Sequence, residues 1–449
     1  MREIAKSMIR FSWAATLLGA QQIANVLKPA DRGEKVRPDP TLRPDASFDV
    51  ATWTIQGQLD ELLQAAFQAG DDLQTEWLAL VSDALTPTRW GRVTSDMAER
   101  SLEALRLAVP GDAGAAARRE LRNKYEIYWL VKGVRKVLEL PPHGRPFSLL
   151  EKVARAYELD SFRALWAVEG LGHDYAATVL ERGDLETGIL NDPALELLPS
   201  ASLPMLHAGL GLACAEHVLR TLAPHSRRGR IRKAIDRYVS LCRENSREEH
   251  ADAALEALGL VARCFFPDLV PALEREIRAM DEGSLRRIFW HGVGRGIYFV
   301  PVNFVPGYSS ISHAIQMAGR EAPEETAHHH ALAGVAYAFI LVNMADPGIL
   351  EDLLRRQGDA LRGSAFVDGL VASVVMRQEI TPDATVLREF LAYRPASRWT
   401  DLWDETVRIP CQRALTEQDP ARRTLSDGQA GEIYQSLARL GAAETEEKR

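Results

Sequence analysis

The chain has 449 residues, a formal net charge of −8 and a pI near 5.9, with 46% hydrophobic and 26% charged residues. Those proportions supply a full globular core and argue against disorder. Nucleic-acid binding draws on a basic surface that releases counterions, so the acidic balance argues against a nucleic-acid partner.

In chain order, Arg2, Lys6 and Arg10 recur every four residues beside the apolar run from Ile9 to Ala20. This run is too short to span a bilayer. It lacks the small residue at the −3 position that a signal-peptide cleavage site needs. Residues 1–28 therefore read as an amphipathic helix, docked on the body or lying on a membrane surface or partner. Pro29, Pro38, Pro40 and Pro44 make 29–47 a linker. Residues 48–140 read as an N-terminal helical region, closed by Pro141-Pro142-His143-Gly144. Within it, Asp71-Asp72-Leu73-Gln74-Thr75-Glu76 resembles an acidic Mg²⁺-diphosphate motif, yet it is also how a helix start with dipole-favoured acids reads.

Residues 148–405 repeat one phrase: an apolar residue, Gly-(Leu/Val)-(Gly/Ala), then further apolar residues. Copies centre on Gly170, Gly209, Gly292, Gly334 and Gly369, with a degenerate copy that places Ala257 in the glycine slot. Intervals of about 40 residues match a two-helix repeat. Helix punctuation agrees. Pro271 to Met280 is followed by an Asp-Glu-Gly break and a new helix from Ser284, and Pro323-Glu324-Glu325 opens a helix that Pro347 stops. The expected fold is all-α, stacked helical hairpins in an α-solenoid-like array, with 406–449 a C-terminal helix and charged tail.

An interior glycine costs about 1 kcal/mol against alanine, so it must permit something. Gly209/Ala213, Gly292/Gly296, Gly334/Ala338 and Gly369/Ser373 place two small residues at i,i+4 on one face. Such a face lets a neighbouring backbone approach closely, or lines a ligand cavity with bare backbone. Gly292-Val293-Gly294-Arg295-Gly296 has neither the spacing nor the preceding strand of a dinucleotide loop.

The acid/base candidates are Glu169, His173, Glu325 and His328. Glu325/His328 has the E-x-x-H spacing that puts two metal ligands on one helix face, and Glu169/His173 is the other acid/histidine pair of this type. A solvated helical turn explains the first pair as well, and an ordinary hydrogen-bonded pair the second. No metal or other cofactor is expected. An apolar ligand pocket would be lined by Trp290, Gly292, Gly296, Tyr298, Phe304 and Tyr337, around the proline-broken segment from Phe299 to Tyr308. The basic run from His225 to Lys233 reads as a solvated turn or a phosphate or acidic-partner site. Four cysteines without metal spacing fit a reducing cytoplasm.

The phrases IFWHGVGRGIYFVP, HALAGVAYAFILVN and LPMLHAGLGLACAEHVL resemble segments of an uncharacterised bacterial family that recurs in enediyne-type polyketide gene clusters. Its members carry glycine-rich helical phrases ending in a Gly-x-Gly-Arg segment and an aromatic residue, matched here within Gly292–Tyr298. The resemblance spans roughly residues 160–375 and brings no catalytic residues with it. It implies an accessory role in secondary metabolism, through binding of a hydrophobic biosynthetic intermediate or a partner enzyme. The alternative is a metal-dependent or acid/base enzyme acting on a polyketide-type substrate.

Overall fold

The computed structural model describes residues 112–417, apart from 143–144, 182–187, 281–282, 301–302, 304–309 and 382–384. The chain divides into two compact units, Met1–Arg118 with Val305–Tyr308 and Arg119–Phe304 with Ser309–Arg449. From Arg119 onward, every helix named below belongs to the second unit. The expected helix at 1–28, the linker 29–47, most of 48–140, Asp71–Glu76, Phe304 and the charged tail lie outside the described residues.

Every regular element among the described residues is helical. In chain order they are α1 (Asp112–Lys132), α2 (Val134–Val137), α3 (Leu149–Tyr157), α4 (Ser161–Glu181), α5 (Leu203–Leu219), α6 (Arg228–Asn245), α7 (Ala251–Leu255), α8 (Ala257–Phe265) and α9 (Val270–Arg278). There follow α10 (Gly283–Tyr298), α11 (Ser310–Glu321), α12 (Glu325–Asn343), α13 (Pro347–Leu361), α14 (Ala365–Ile380), α15 (Thr385–Ala392), α16 (Thr400–Trp403) and α17 (Ile409–Glu417). Much of the punctuation acts as expected: α9 begins beside Pro271, α10 begins at Gly283, one residue before the expected Ser284, and Pro347 starts α13 just after α12 ends. Asp404–Arg408 is a π-turn joining α16 to α17. Pro410 gives the reason, because it has no N–H and its ring would strike the carbonyl four residues back.

Two kinds of helix result. On α6, Ile231, Ile235, Tyr238, Val239 and Cys242 form one buried face, while Lys233, Asp236 and Arg237 are exposed. The glycine-bearing helices α5, α12 and α14 are instead buried nearly all round, as helices packed on both sides must be.

Glycine makes that burial possible. A methyl group at Gly172 of α4 would overlap the Leu206 carbonyl of α5, and one at Gly209 of α5 would overlap the Glu169 carbonyl of α4. Gly259 of α8 and Gly292 of α10 oppose each other in the same way, against the carbonyls of Phe289 and Glu256. Gly294 of α10 and Gly334 of α12 do so against those of Ala331 and His291. Gly211 meets Ala254 of α7, and Gly369 of α14 meets Ala333 of α12. The backbones thus touch pair by pair in chain order from α4 to α14. At Gly292 and Gly296 the expected i,i+4 face is present, both facing α8. The i,i+2 pairs do more. Two residues span 200° of a helix, so Gly170/Gly172, Gly209/Gly211 and Gly292/Gly294 each open both sides of one helix to its neighbours.

Candidate functional site

Charged side chains stand inside this apolar stack. His291 and Arg295 lie one turn apart on α10, so they project to the same side. Glu256 sits at the joint between α7 and α8, and Glu169 and Tyr337 come from α4 and α12. The neighbouring backbones, held close by Gly259, Gly292, Gly294 and Gly334, bring these side chains together.

Glu256 accepts at Oε1 from His291 Nδ1 and at Oε2 from Arg295 Nη1, the latter at 2.5 Å. Arg295 Nη2 reaches Glu169 Oε1 at 3.3 Å. Its guanidinium carbon stands 5.4 Å from the Tyr337 ring centre, and His291 meets the same ring edge-on at 5.3 Å. All five side chains are buried. Burial pushes the Glu256 carboxyl up, but the Arg295 charge and then His291 more than reverse it, leaving it at about 2. At Glu169 burial wins, opposed by Arg295 and reinforced by the Glu256 charge, so its carboxyl is raised. Two carboxylates on one guanidinium are therefore driven apart, the pattern by which a site separates a fixed anion from a proton carrier. With Nδ1 engaged by Glu256, His291 Nε2 has no hydrogen-bond partner among the described residues.

A second buried polar cluster ties α1 to the end of α10 and the start of α11. Lys124 Nζ donates to the carbonyls of Tyr298 (2.9 Å) and Asn303 (3.3 Å) and to Ser310 Oγ (2.9 Å). It also lies 3.6 Å from the Tyr298 ring centre. Glu120 Oε1 accepts from the Tyr298 hydroxyl at 3.0 Å and from Ser310 Oγ. Asn343 Nδ2 donates to the Tyr298 hydroxyl at 3.0 Å.

The acid/base candidates read from the sequence do not form one group. Glu169 joins Arg295, whereas His173 Nε2 lies 3.3 Å from Glu216 Oε1 without hydrogen-bond geometry. Burial pushes the Glu216 carboxyl up, but the neighbouring Lys132, His173 and Arg220 side chains more than reverse it and hold it well below the usual range. Glu325 is 95% exposed, and His328 Nδ1 is 3.9 Å from it. Next along the chain, His329 faces Asp368 at 3.1 Å. His330 is buried, and burial with the nearby His329 and His291 lowers it to about 3. Among the described residues no group of three or more His, Cys, Asp or Glu side chains is placed to hold a metal ion.

Comparison of the chain with protein-family models, with curated proteins and with solved structures gives no match.

Of the expected pocket residues, Trp290 is buried and donates Nε1–H to Glu274 Oε2 at 2.6 Å. Tyr298 and Tyr337 are buried in the clusters above. Gly292 and Gly296 face α8, where Glu256, Leu260 and Arg263 fill the space a side chain would need. A surface groove of about 390 Å³, lined by Asp236, Val239, Ser240, Arg243, Glu244 and Met280, holds none of these residues. The basic run lies in the turn before α6 and its first turn. There Arg228 Nε pairs with Glu276 at 2.6 Å, and Arg230 donates to the Thr221 carbonyl. All four cysteines are free. No helix among the described residues is long and apolar enough to cross a membrane.

Motif and spacing do not single out Glu256, His291, Arg295 or Lys124. For the first three a signal exists, in charged residues standing inside glycine phrases that are otherwise apolar (LEALGL, FWHGVGRGIYF).

Proposed function

We propose that this chain is an accessory protein of secondary metabolism that binds a biosynthetic partner enzyme through the outer faces of its helices. The enediyne-cluster assignment rests on the resemblance of the glycine phrases alone. We read the successive glycine-bearing helices with their outer neighbours as a repeated two-helix unit of about 40 residues, which is how helical repeats build extended binding surfaces. One observation carries the choice of a partner enzyme over a hydrophobic intermediate. Trp290, Tyr298 and Tyr337, the aromatic side chains that would line an apolar pocket, are buried against internal partners.

The test is analytical ultracentrifugation of the full chain mixed with the polyketide-type synthase of its own host. A complex of fixed stoichiometry is expected, and two species sedimenting independently would overturn the reading. Saturable uptake of a conjugated polyene fatty acid, followed by its fluorescence, would move the proposal to the intermediate instead.

A second reading, an acid/base enzyme on a polyketide-type substrate, draws on the Glu256–His291 pair and its unpartnered Nε2. A carboxylate that fixes the imidazole tautomer and leaves the far nitrogen basic is the arrangement a general base needs. Host extracts in which His291→Gln, folded as judged by circular dichroism, supports product formation as well as the parent chain would remove this reading.

A further inference from the structure

We propose that the exposed face of α6 is a docking surface for an acidic helix of the partner protein. The inference rests on the partner reading above and gives that partner a place and a chemistry. Between Arg228 and Asn245, α6 carries six arginine or lysine residues and two acids, in a chain whose net charge is −8. Positive charge is therefore gathered on one element. Arg230, Lys233 and Arg237 stand at i, i+3 and i+7, which places them along one stripe of the helix, and all three are exposed.

The fold does not neutralise this stripe. On the same helix, Arg228 and Arg232 are answered by Glu276 at 2.6 Å and Asp236 at 3.1 Å. Lys233 and Arg237 form no ion pair among the described residues, and Arg230 donates to a neutral group, the Thr221 carbonyl. Farther along α6 the exposed face runs into the groove of about 390 Å³, whose apolar lining is Val239 and Met280. A row of cations leading to a small apolar recess matches an amphipathic helix with carboxylates at the same spacing and one aliphatic side chain beyond them. Asp236 and Glu244 also line the groove, and they repel a carboxylate placed there, which fixes the register of the incoming helix.

Two other occupants fit worse. Docking on an anionic membrane draws on an apolar side chain that inserts beside the cations. The large apolar residues exposed among the described residues are Tyr125, Leu150, Leu197 and Ile409, and none of them is on α6. A nucleic-acid backbone carries a charge at every step and so favours cations along its whole path, whereas the acids of the groove interrupt this one.

The test titrates the full chain into a fluorescently labelled helical peptide, with glutamates at i, i+3 and i+7 and a leucine one turn beyond, and follows anisotropy. Saturable binding is expected, weakened at least about tenfold when salt rises from about 0.05 M to about 0.5 M. Lys233→Glu combined with Arg237→Glu should weaken it by on the order of 10- to 100-fold. Arg145→Glu combined with Arg320→Glu, at exposed cations elsewhere, makes the same change in net charge and should leave binding within about twofold. No binding of the peptide, or an equal loss in the two double variants, overturns the proposal. Tighter binding of a DNA duplex of about 20 base pairs, or of phosphatidylserine vesicles, does so as well. The host synthase separates this inference from the reading beneath it. A synthase complex that survives Lys233→Glu with Arg237→Glu overturns the docking face and leaves the partner reading intact. A peptide that binds as expected while the synthase sediments alone removes that partner and leaves the face as a site for an acidic helix of another protein.

Discussion

Mid-helix glycine normally forfeits about 1 kcal/mol to alanine, yet at Gly294 the methyl group that alanine adds would fall on the Ala331 backbone. A backbone atom cannot turn aside as a side chain can, so α10 and α12 would have to separate. Gly294→Ala should therefore destabilise the protein by about 2–3 kcal/mol, the range of an overpacked core, read from urea midpoints. Gly229, near the start of α6, has nothing within 4 Å of the same position, and there alanine should stabilise by a few tenths of a kcal/mol up to about 1. Equal effects at the two sites would refute the close-contact account. The contact role of these glycines is legible in the sequence, because a repeated costly residue must be permitting something. That the i,i+2 spacing opens both sides of a helix is not. Period and composition identify a face, whereas which neighbour covers each face is a tertiary fact. The degenerate copy shows the limit: the repeat pattern puts Ala257 in the glycine slot, but the close approach is made by Gly259, two residues on.

At the scale of elements, Arg295 joins α4, the α7–α8 joint, α10 and α12 through one guanidinium. Removing one member of a buried ionic group leaves the others uncompensated, which costs about 3–5 kcal/mol. Arg295→Met preserves the apolar volume and should cost about that much at neutral pH. The deficit should shrink as pH falls. Without the guanidinium the Glu256 and Glu169 carboxyls protonate more readily in the folded protein, and a neutral acid is far cheaper to bury. Urea midpoints at neutral and at acid pH check it, and a deficit independent of pH would contradict the charge-compensation account. This group is only partly legible in the sequence. Glu169 stands out because His173 sits one turn away, but the structure parts them: one carboxylate turns to Arg295, and the imidazole turns to Glu216. Residues 35 to 126 positions apart in the chain meet here, and no local pattern encodes such a meeting.

For the molecule as a whole, the buried histidines set the response to acid. His207 Nδ1 donates to the Leu203 carbonyl at 2.7 Å, and its Nε2 accepts from the Arg247 backbone N–H at 3.1 Å. That second bond needs a bare Nε2, so Nδ1 carries the proton and the ring is fixed as neutral. Burial, with His250 and Arg247 adding to it, lowers His207 to about 3; burial likewise takes His330 to about 3 and His250 to about 4. Each is depressed below its unfolded value of 6.5, so the unfolded chain binds protons first. Their contribution is intact above about pH 6.5 and is lost as pH falls toward 4 and 3, at about 1.4 kcal/mol per pH unit for each proton taken up. Lys124 has the same sign over a higher range. Its folded value of about 7 lies below 10.5, so stability should keep rising with pH from about 7 toward 10. The midpoint of urea unfolding, followed from acid to alkaline pH, should therefore begin to fall just below neutrality, well above the carboxylate range. His207→Gln, which cannot take up the proton, should lower the acid-side slope by about one proton. A plateau from about pH 5 to about pH 8 would show that these side chains are not held neutral inside the stack.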